Sequence, residues 1–333
     1  MAKVARRDES TNSDWAELTH ECLMNILSRL SLEERWKGAM FVCKSWFHAC
    51  KDPPLFSVFD LETVFESGTE SSLWWSPDFE RKIDSMLQSV VNWSGGVIIK
   101  EIRIRHCSDQ SLSFVAERCP NLQVLAIKSC PNVTNTSIAK IASGCPMLME
   151  LDISYCYKIS HESLKLIGSH CPNLKILKRN LMNSLDPSQH LGIVPKEYLK
   201  ASPRCGNKEA AAIGKFMPNL EHLELRFSKL SPYGFTSSRQ GCCELKYLDL
   251  FGCPNLSSQL IEEAEKLMIN RREVKKAEKE LKTAKEELKK AKEELKRVEE
   301  ELKKAKEEHK RLQRAVENLG GGGPKRDQSR RLE

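Results

Sequence analysis

Thirteen cysteines and eight histidines are the side chains of this 333-residue chain best suited to ligate a metal or act as nucleophile and base. Their spacing argues against both. No two cysteines stand as C-x-x-C, so the usual zinc and redox spacings are missing. No H-E-x-x-H, G-x-S-x-G, P-loop or G-x-G-x-x-G run occurs. His106 and Cys107 are adjacent, yet Cys107 is one of the cysteines at repeat positions, with Cys119, Cys130, Cys145, Cys156, Cys171, Cys243 and Cys253. A cysteine at a fixed place in a repeat reads as a small buried apolar residue, chemically inert. The expectation is a non-catalytic chain without metal or cofactor.

The repeat itself must position whatever the chain does. CPNLQVLAIKSC from Cys119 returns as CPMLMELDISYC from Cys145, CPNLKILK from Cys171, MPNLEHLEL from Met217 and CCELKYLDLFGC from Cys242. Cys119, Cys145 and Cys171 are 26 residues apart, and Met217 to Cys243 repeats that interval. A fixed period enclosing L-x-x-L-x-L is that of a leucine-rich repeat solenoid, a one-dimensional stack with a concave face. The series begins near Ile99, where Ile99, Ile102 and Ile104 align with Leu122, Leu125 and Ile127. Each unit is predicted to pair a short strand with a helix such as TNTSIAKIAS, and one unit alone has no core. Between Cys171 and Met217 the interval is 46 residues. The surplus, at about 180–206, carries Pro187, Pro195 and Pro203 and is expected to leave the stack as a loop, at the binding face or merely solvated.

On such strands the residues alternating with the buried leucines face the concave side. They are Arg103, Arg105, Ala126, Lys128, Asp152, Ser154, Lys178, Glu224, Arg226, Asp249 and Phe251. The set is basic at the first strands and mixed at the last. An acidic partner segment would complement Arg103, Arg105 and Lys128. A merely solvated sheet surface is the alternative for any one of them.

Net charge is +7, but it sits at one end. Residues 271–333 hold 22 Lys+Arg and 15 Asp+Glu, which leaves 31 of each in residues 1–270. The repeats therefore carry no excess of positive charge, and no nucleic-acid partner is expected. No apolar run approaches the roughly 18–20 residues of a membrane helix. The first residues are polar, without a signal core, so an intracellular protein with reduced cysteines is expected, in the nucleus, the cytoplasm or both.

The block before the repeats, DWAELTHECLMNILSRLSLEERWKGAMFVCKSWFHACKDPPLFSVFDL, has two helical stripes. Leu23, Ile26, Leu27 and Leu30 make one. Val42, Trp46 and Ala49 make the other, with Leu32 in the turn. A unit of about 45 residues cannot bury all of this by itself. Apolar surface is left for a partner. The pattern resembles the F-box. The opening L-P-x-E-x-L of that family stands here as Leu18, Thr19, Glu21 and Leu23, with Thr19 in place of proline. V-C-K-x-W is intact as Val42, Cys43, Lys44 and Trp46, and D-P-x-L as Asp52, Pro53 and Leu55. Together with the repeats, residues 14–257 are similar to the plant F-box proteins called SKP-interacting partners.

The resemblance implies a substrate receptor of a cullin-based (SCF) ubiquitin ligase. It implies adaptor contacts at Leu18, Thr19, Leu23, Ile26, Leu27, Leu30, Val42 and Trp46, some of which, Trp46 above all, would also be internal core. The missing proline is expected to loosen the turn presenting Leu18 and weaken docking. The repeats would hold an unknown protein substrate, with Arg103, Arg105, Lys128, Asp152, Ser154, Lys178, Glu224, Arg226, Asp249 and Phe251 as candidate contacts. The alternative is a non-degradative leucine-rich repeat scaffold dimerising through a C-terminal coiled coil.

Beyond Ser257 the composition turns to Lys, Glu, Leu and Ala. Leu267, Val274, Leu281, Leu288, Leu295, Leu302, His309 and Val316 recur every seven residues, with Ala277, Ala284, Ala291, Val298, Ala305, Leu312 and Leu319 at the d positions. That is a coiled-coil pattern, for self-association or a helical partner through 267–319. The in-helix pairs Glu286–Lys290, Glu293–Arg297 and Glu300–Lys304 would equally support a solitary helix.

The fold expected is α/β: an N-terminal three-helix F-box, a short leucine-rich repeat horseshoe and a C-terminal long helix or coiled coil. The boundaries are 1–13 disordered, 14–60 F-box, 61–96 helical linker, 97–257 repeats, 258–319 charged helix and 320–333 disordered basic tail. The linker helix is predicted at 72–93, with Pro77 in its first turn and Trp74 and Trp75 capping the junction with the solenoid.

Overall fold

The computed structural model describes residues 15, 17–183, 192–203 and 205–320. The segments read as disordered, 1–13 and 320–333, lie outside them, except that Gly320 ends a helix.

Three short helices come first: α1 (His20–Leu27), α2 (Leu32–Lys37) and α3 (Lys44–Ala49). The first two start at side-chain caps. Thr19 accepts the Cys22 N–H at 3.4 Å, and Ser31 with Glu34 forms a reciprocal capping box. Thr19 holds φ −62°, an angle proline would also hold, and adds a cap that proline has no side-chain oxygen to make. The expected loosening of the turn is therefore not found.

Pro53–Phe56 form a 3₁₀ turn into β1 (Val58–Asp60), which pairs in parallel with β2 (Glu101–Arg105). The sheet thus starts inside the segment read as F-box, well before Ile99. Between the two strands lie α4 (Glu62–Ser67) and α5 (Pro77–Ser94). Ser76 caps α5 and Pro77 is its first residue. Ile83, Leu87, Val90 and Val91 are its buried face, and α5 packs beside α6 (Asp109–Arg118). Residues 61–96 are accordingly the first crossover of the array, where the sequence suggested a linker. The L-x-x-L-x-L pattern hid this because β1 offers only Val58, Phe59 and Asp60.

The remaining units follow in order: β3 (Val124–Lys128), α7 (Asn135–Gly144), β4 (Glu150–Asp152), α8 (His161–His170), β5 (Ile176–Lys178), α9 (Lys196–Lys200), α10 (Asn207–Phe216), β6 (His222–Glu224), α11 (Pro232–Gly241) and β7 (Tyr247–Asp249). Among the described residues the seven strands form one parallel sheet in chain order. Phe59, Ile102, Leu125, Leu151, Leu177 and Leu223 stand side by side in register, each at most 1% exposed. Each contributes about 1.5–3 kcal/mol by leaving water. On the other side of this row the helices pack neighbour to neighbour, α6 on α7, α7 on α8, α8 on α10 and α10 on α11. Gly144 permits one such approach: a Cβ there would lie 2.1 Å from the Ala116 carbonyl oxygen.

Helix side chains stitch one unit to the N-cap of the next. Asp84 accepts the Ser108 N–H at 3.0 Å, Asp109 the Thr134 N–H at 2.8 Å, Asn135 the Ser160 N–H at 2.8 Å and Asn207 the Ser231 N–H at 2.7 Å. Each satisfies a backbone donor of the following unit that has no partner in its own helix. The repeat cysteines are buried, and Cys156 donates to the Ile127 carbonyl at 3.0 Å and Cys253 to that of Leu225 at 3.2 Å. Cys119, Cys145, Cys171, Met217 and Cys242 close the helices. The buried residue in the last of these slots is Cys242, not Cys243, which is exposed. The last interval is therefore one residue shorter than 26, and the Cys242 sulfur lies 3.9 Å from the Ile213 carbonyl.

Residues up to Lys266 form one compact unit and those from Leu267 a second. α12 (Ser258–Gly320) supplies the described part of the latter as continuous helix. No helix among the described residues is long and apolar enough to cross a membrane.

Candidate protein-docking surfaces

The N-terminal helices divide the expected adaptor contacts in two. Leu23, Leu27 and Trp46 are buried, with α1 packed on α3. The Trp46 indole N–H donates to the Trp15 carbonyl at 2.8 Å. These three are core, as amphipathic helices of so small a unit require, and they are not available for docking. Leu18, Ile26 and Leu30 are half-buried, and Thr19 and Val42 are exposed. Phe41, absent from the expected set, is 79% exposed. It was missed because the stripe was read at helical spacing through Val42, whereas Ala39–Phe41 form a separate 3₁₀ turn that turns the phenyl ring outward. A small unit with its core complete and a phenylalanine, a valine and half of several leucines left in water has surface to give to a partner.

The open face of the sheet differs from expectation in charge. Arg105 donates to Glu62 at 2.5 and 3.2 Å, and Lys128 to the same carboxylate at 2.8 Å. Glu62 comes from α4, in the segment the sequence suggested was a linker. Arg103 pairs with Glu150 at 3.2 Å, Lys178 with Glu224 at 3.6 Å and Arg226 with Asp249 at 2.6 Å. The predicted basic end for an acidic partner is thus neutralised by the chain itself. Burial alone would raise the Glu62 carboxyl, but hydrogen bonds from Arg105 and Lys128 hold it below the ordinary glutamate value. Asp152 and Ser154 are buried, and burial keeps the Asp152 carboxyl above its usual range even with the Ser154 N–H 2.9 Å away. Ala126 is buried as well.

What remains exposed lies at the last strands. Phe251 is 69% and Tyr247 46% exposed, and a groove of about 590 Å³ runs beside them. Phe251 meets Phe227 edge to face at 5.6 Å, and Tyr247 stacks on His222 at 4.3 Å. The alternation rule found Phe251 and stopped short of Tyr247, which begins β7 on the same face.

The insertion is only partly a loop. Val194 and Tyr198 of its described residues join Tyr157 and Leu181 in a buried cluster. The Tyr198 ring stacks on Tyr157 at 4.7 Å and meets Trp75 at 4.6 Å. Residues 184–191 lie outside the described set. Arg179 opens the insertion from inside the core. It holds the slot of Ile104, Ile127 and Ile153 in neighbouring units and is 1% exposed. Its guanidinium donates to the carbonyls of Ile153, Cys156 and Ile159 and to Glu209 at 3.0 Å. Beside the cluster, a cavity of about 350 Å³ is lined by Glu62, Glu66, Glu70, Trp74, Trp75 and His106, among others. His106 is 3% exposed, and burial, with a smaller effect from the Arg105 charge, lowers its pKa to about 4, so the ring is neutral.

The F-box domain model matches residues 15–57. The chain is 57% identical over 268 residues to F-box protein SKIP1 of Arabidopsis thaliana, covering 80% of this chain and 88% of that protein. It is 61% identical over 244 residues to the putative F-box/LRR-repeat protein 19 of the same plant, covering 73% and 81%. The chain belongs to the plant F-box/leucine-rich repeat family. A third member, the putative F-box/LRR-repeat protein 9, is 32% identical across 73% of this chain and 89% of its own length. In this F-box/leucine-rich repeat protein the matched segment contains both Phe41 and Val42, and ends at Ser57, one residue before β1.

Proposed function

We propose that the chain is the substrate-receiving subunit of an SCF-type ubiquitin ligase and is not itself catalytic. Its F-box segment docks a SKP-type adaptor, and through it a cullin. The curved stack of repeats, a short horseshoe in this reading, receives a protein substrate. Holding the substrate and the ligase on one chain raises the effective concentration of substrate lysines near the ubiquitin carrier. The observation that carries this is the exposure of Phe41 and Val42 on an F-box unit whose own core is already closed by Leu23, Leu27 and Trp46.

The test is co-purification of the full chain with a SKP-type adaptor and a cullin. Phe41→Asp and Val42→Asp are expected to cut adaptor capture at least tenfold while leaving thermal unfolding unchanged. Leu27→Asp would lose both, since it puts a charge in the core. Full capture by both surface variants would sink the reading. A scaffold that never meets a ligase has no observation in its favour that the receptor lacks.

A further inference from the structure

The adaptor and substrate surfaces leave one long feature without a role. From Val274 to Val316, α12 exposes Val274, Leu281, Leu288, Leu295, Leu302 and Val316, each more than half in water. They recur at multiples of seven, with small Ala284, Ala291 and Ala305 between them, so they form one stripe along one face of the helix. Helical apolar side chains in a row, uncovered by the chain, call for a second helix.

We propose that this stripe pairs with the same stripe of a second copy of the chain, in parallel and in register. Charge selects the occupant. With the leucines at a, six g positions are glutamate, Glu273, Glu280, Glu287, Glu294, Glu301 and Glu308, and the last, before Val316, is Ala315. The e positions Lys285, Lys292 and Lys306 are lysine. Two parallel copies bring each g against the e position five residues further along the other strand. Glu287 then meets Lys292 of the second copy, and Glu301 meets Lys306. Two antiparallel copies bring g against g and e against e, glutamate facing glutamate and lysine facing lysine, so that orientation is disfavoured. Glu273 against Glu278 and Glu294 against Glu299 are the mismatches in the parallel pair.

The in-helix pairs Glu286–Lys290, Glu293–Arg297 and Glu300–Lys304 support each helix whether or not it is paired. Alanine at most of the d positions lets two backbones approach closely but buries little area, so the pair is reversible and concentration-dependent. It makes the receptor bivalent, which favours substrates presenting two copies of one surface.

Sedimentation equilibrium of the full chain tests this without reference to adaptor binding. The expected mass rises with concentration from 38.0 kDa toward twice that value. Leu288→Lys with Leu295→Lys should hold the chain at monomer mass throughout, with the unfolding of the repeats unmoved. Glu287→Lys with Glu301→Lys should weaken the dimer at least tenfold, and adding Lys292→Glu with Lys306→Glu should restore it. Monomer at every concentration overturns the pairing. Tighter association of Glu287→Lys/Glu301→Lys overturns the parallel arrangement, since that change relieves an antiparallel pair.

Discussion

Arg179 occupies the slot that Ile153 fills in the preceding unit, and its guanidinium donates to the Ile153 carbonyl at 3.3 Å. One charged side chain thus replaces an aliphatic row member and ties down the carbonyls of its neighbour where the insertion departs. Glu209, itself nearly buried, balances the charge. Removing one member of such a pair strands the other in a low-dielectric interior.

Arg179→Leu is therefore expected to cost about 3–5 kcal/mol, read from urea unfolding. Arg179→Leu with Glu209→Leu should recover a large part, because no charge is then left alone. A loss below about 1 kcal/mol in the single variant would show that the pair carries little of the stability here.

Acid should weaken the fold in two stages. His106 titrates near 4 in the folded chain and near its ordinary 6.5 when unfolded. Between those values the unfolded chain binds a proton that the folded chain refuses. Stability is thus full above pH 6.5 and falls toward pH 4, by up to roughly 3 kcal/mol from this one group. Glu62, held below the ordinary glutamate value, contributes stability above that value and loses it lower still, as pH falls through its depressed folded pKa. His106 has φ +57°, which asparagine tolerates. His106→Asn should flatten the decline between pH 6.5 and 4 and leave the later one. Equal slopes for the two proteins across the upper window would reject the assignment.

Cysteine reactivity follows burial. Cys22, Cys205 and Cys243 are exposed, whereas Cys107, Cys130 and Cys156 are sealed inside, their thiols pushed up mainly by burial. Brief alkylation of the native chain, followed by mass spectrometry, should mark the first three and spare the second three until denaturant is added. Native labelling of Cys130, whose sulfur lies 3.4 Å from that of Cys107, would contradict the packing.

Much of this was written in the sequence at positions where one residue type repeats. Leu125, Leu151 and Leu177 announce their row because each must meet the same neighbour in register. Pro77 announces the start of α5. Other features depend on a tertiary partner that spacing does not reveal. Phe59 joins the leucine row from a three-residue strand too short to show a period. Glu62 reaches Arg105 and Lys128 from a helix far away in sequence, so the face looked basic. Leu27 and Phe41 are both apolar, and only the fold tells which one faces water.

Substrate capture should depend on the last strands and not on the first. Arg103, Arg105 and Lys128 are committed to carboxylates of their own chain, so binding through them would first break those pairs. Phe251 and Tyr247 hold no ion pair that binding would have to break, and exposed aromatic rings beside a groove are the usual anchors of protein interfaces. A chain carrying Phe41→Asp should accumulate bound substrates that it cannot deliver. Proximity labelling from that chain should lose those proteins when Phe251→Ala and Tyr247→Ala are added, with thermal unfolding unchanged. Arg103→Ala in the same background should leave the labelled set intact. If instead Arg103→Ala empties it while the aromatic variants do not, the partner sits at the opposite end of the sheet, and its contacts outcompete the Arg103–Glu150 pair.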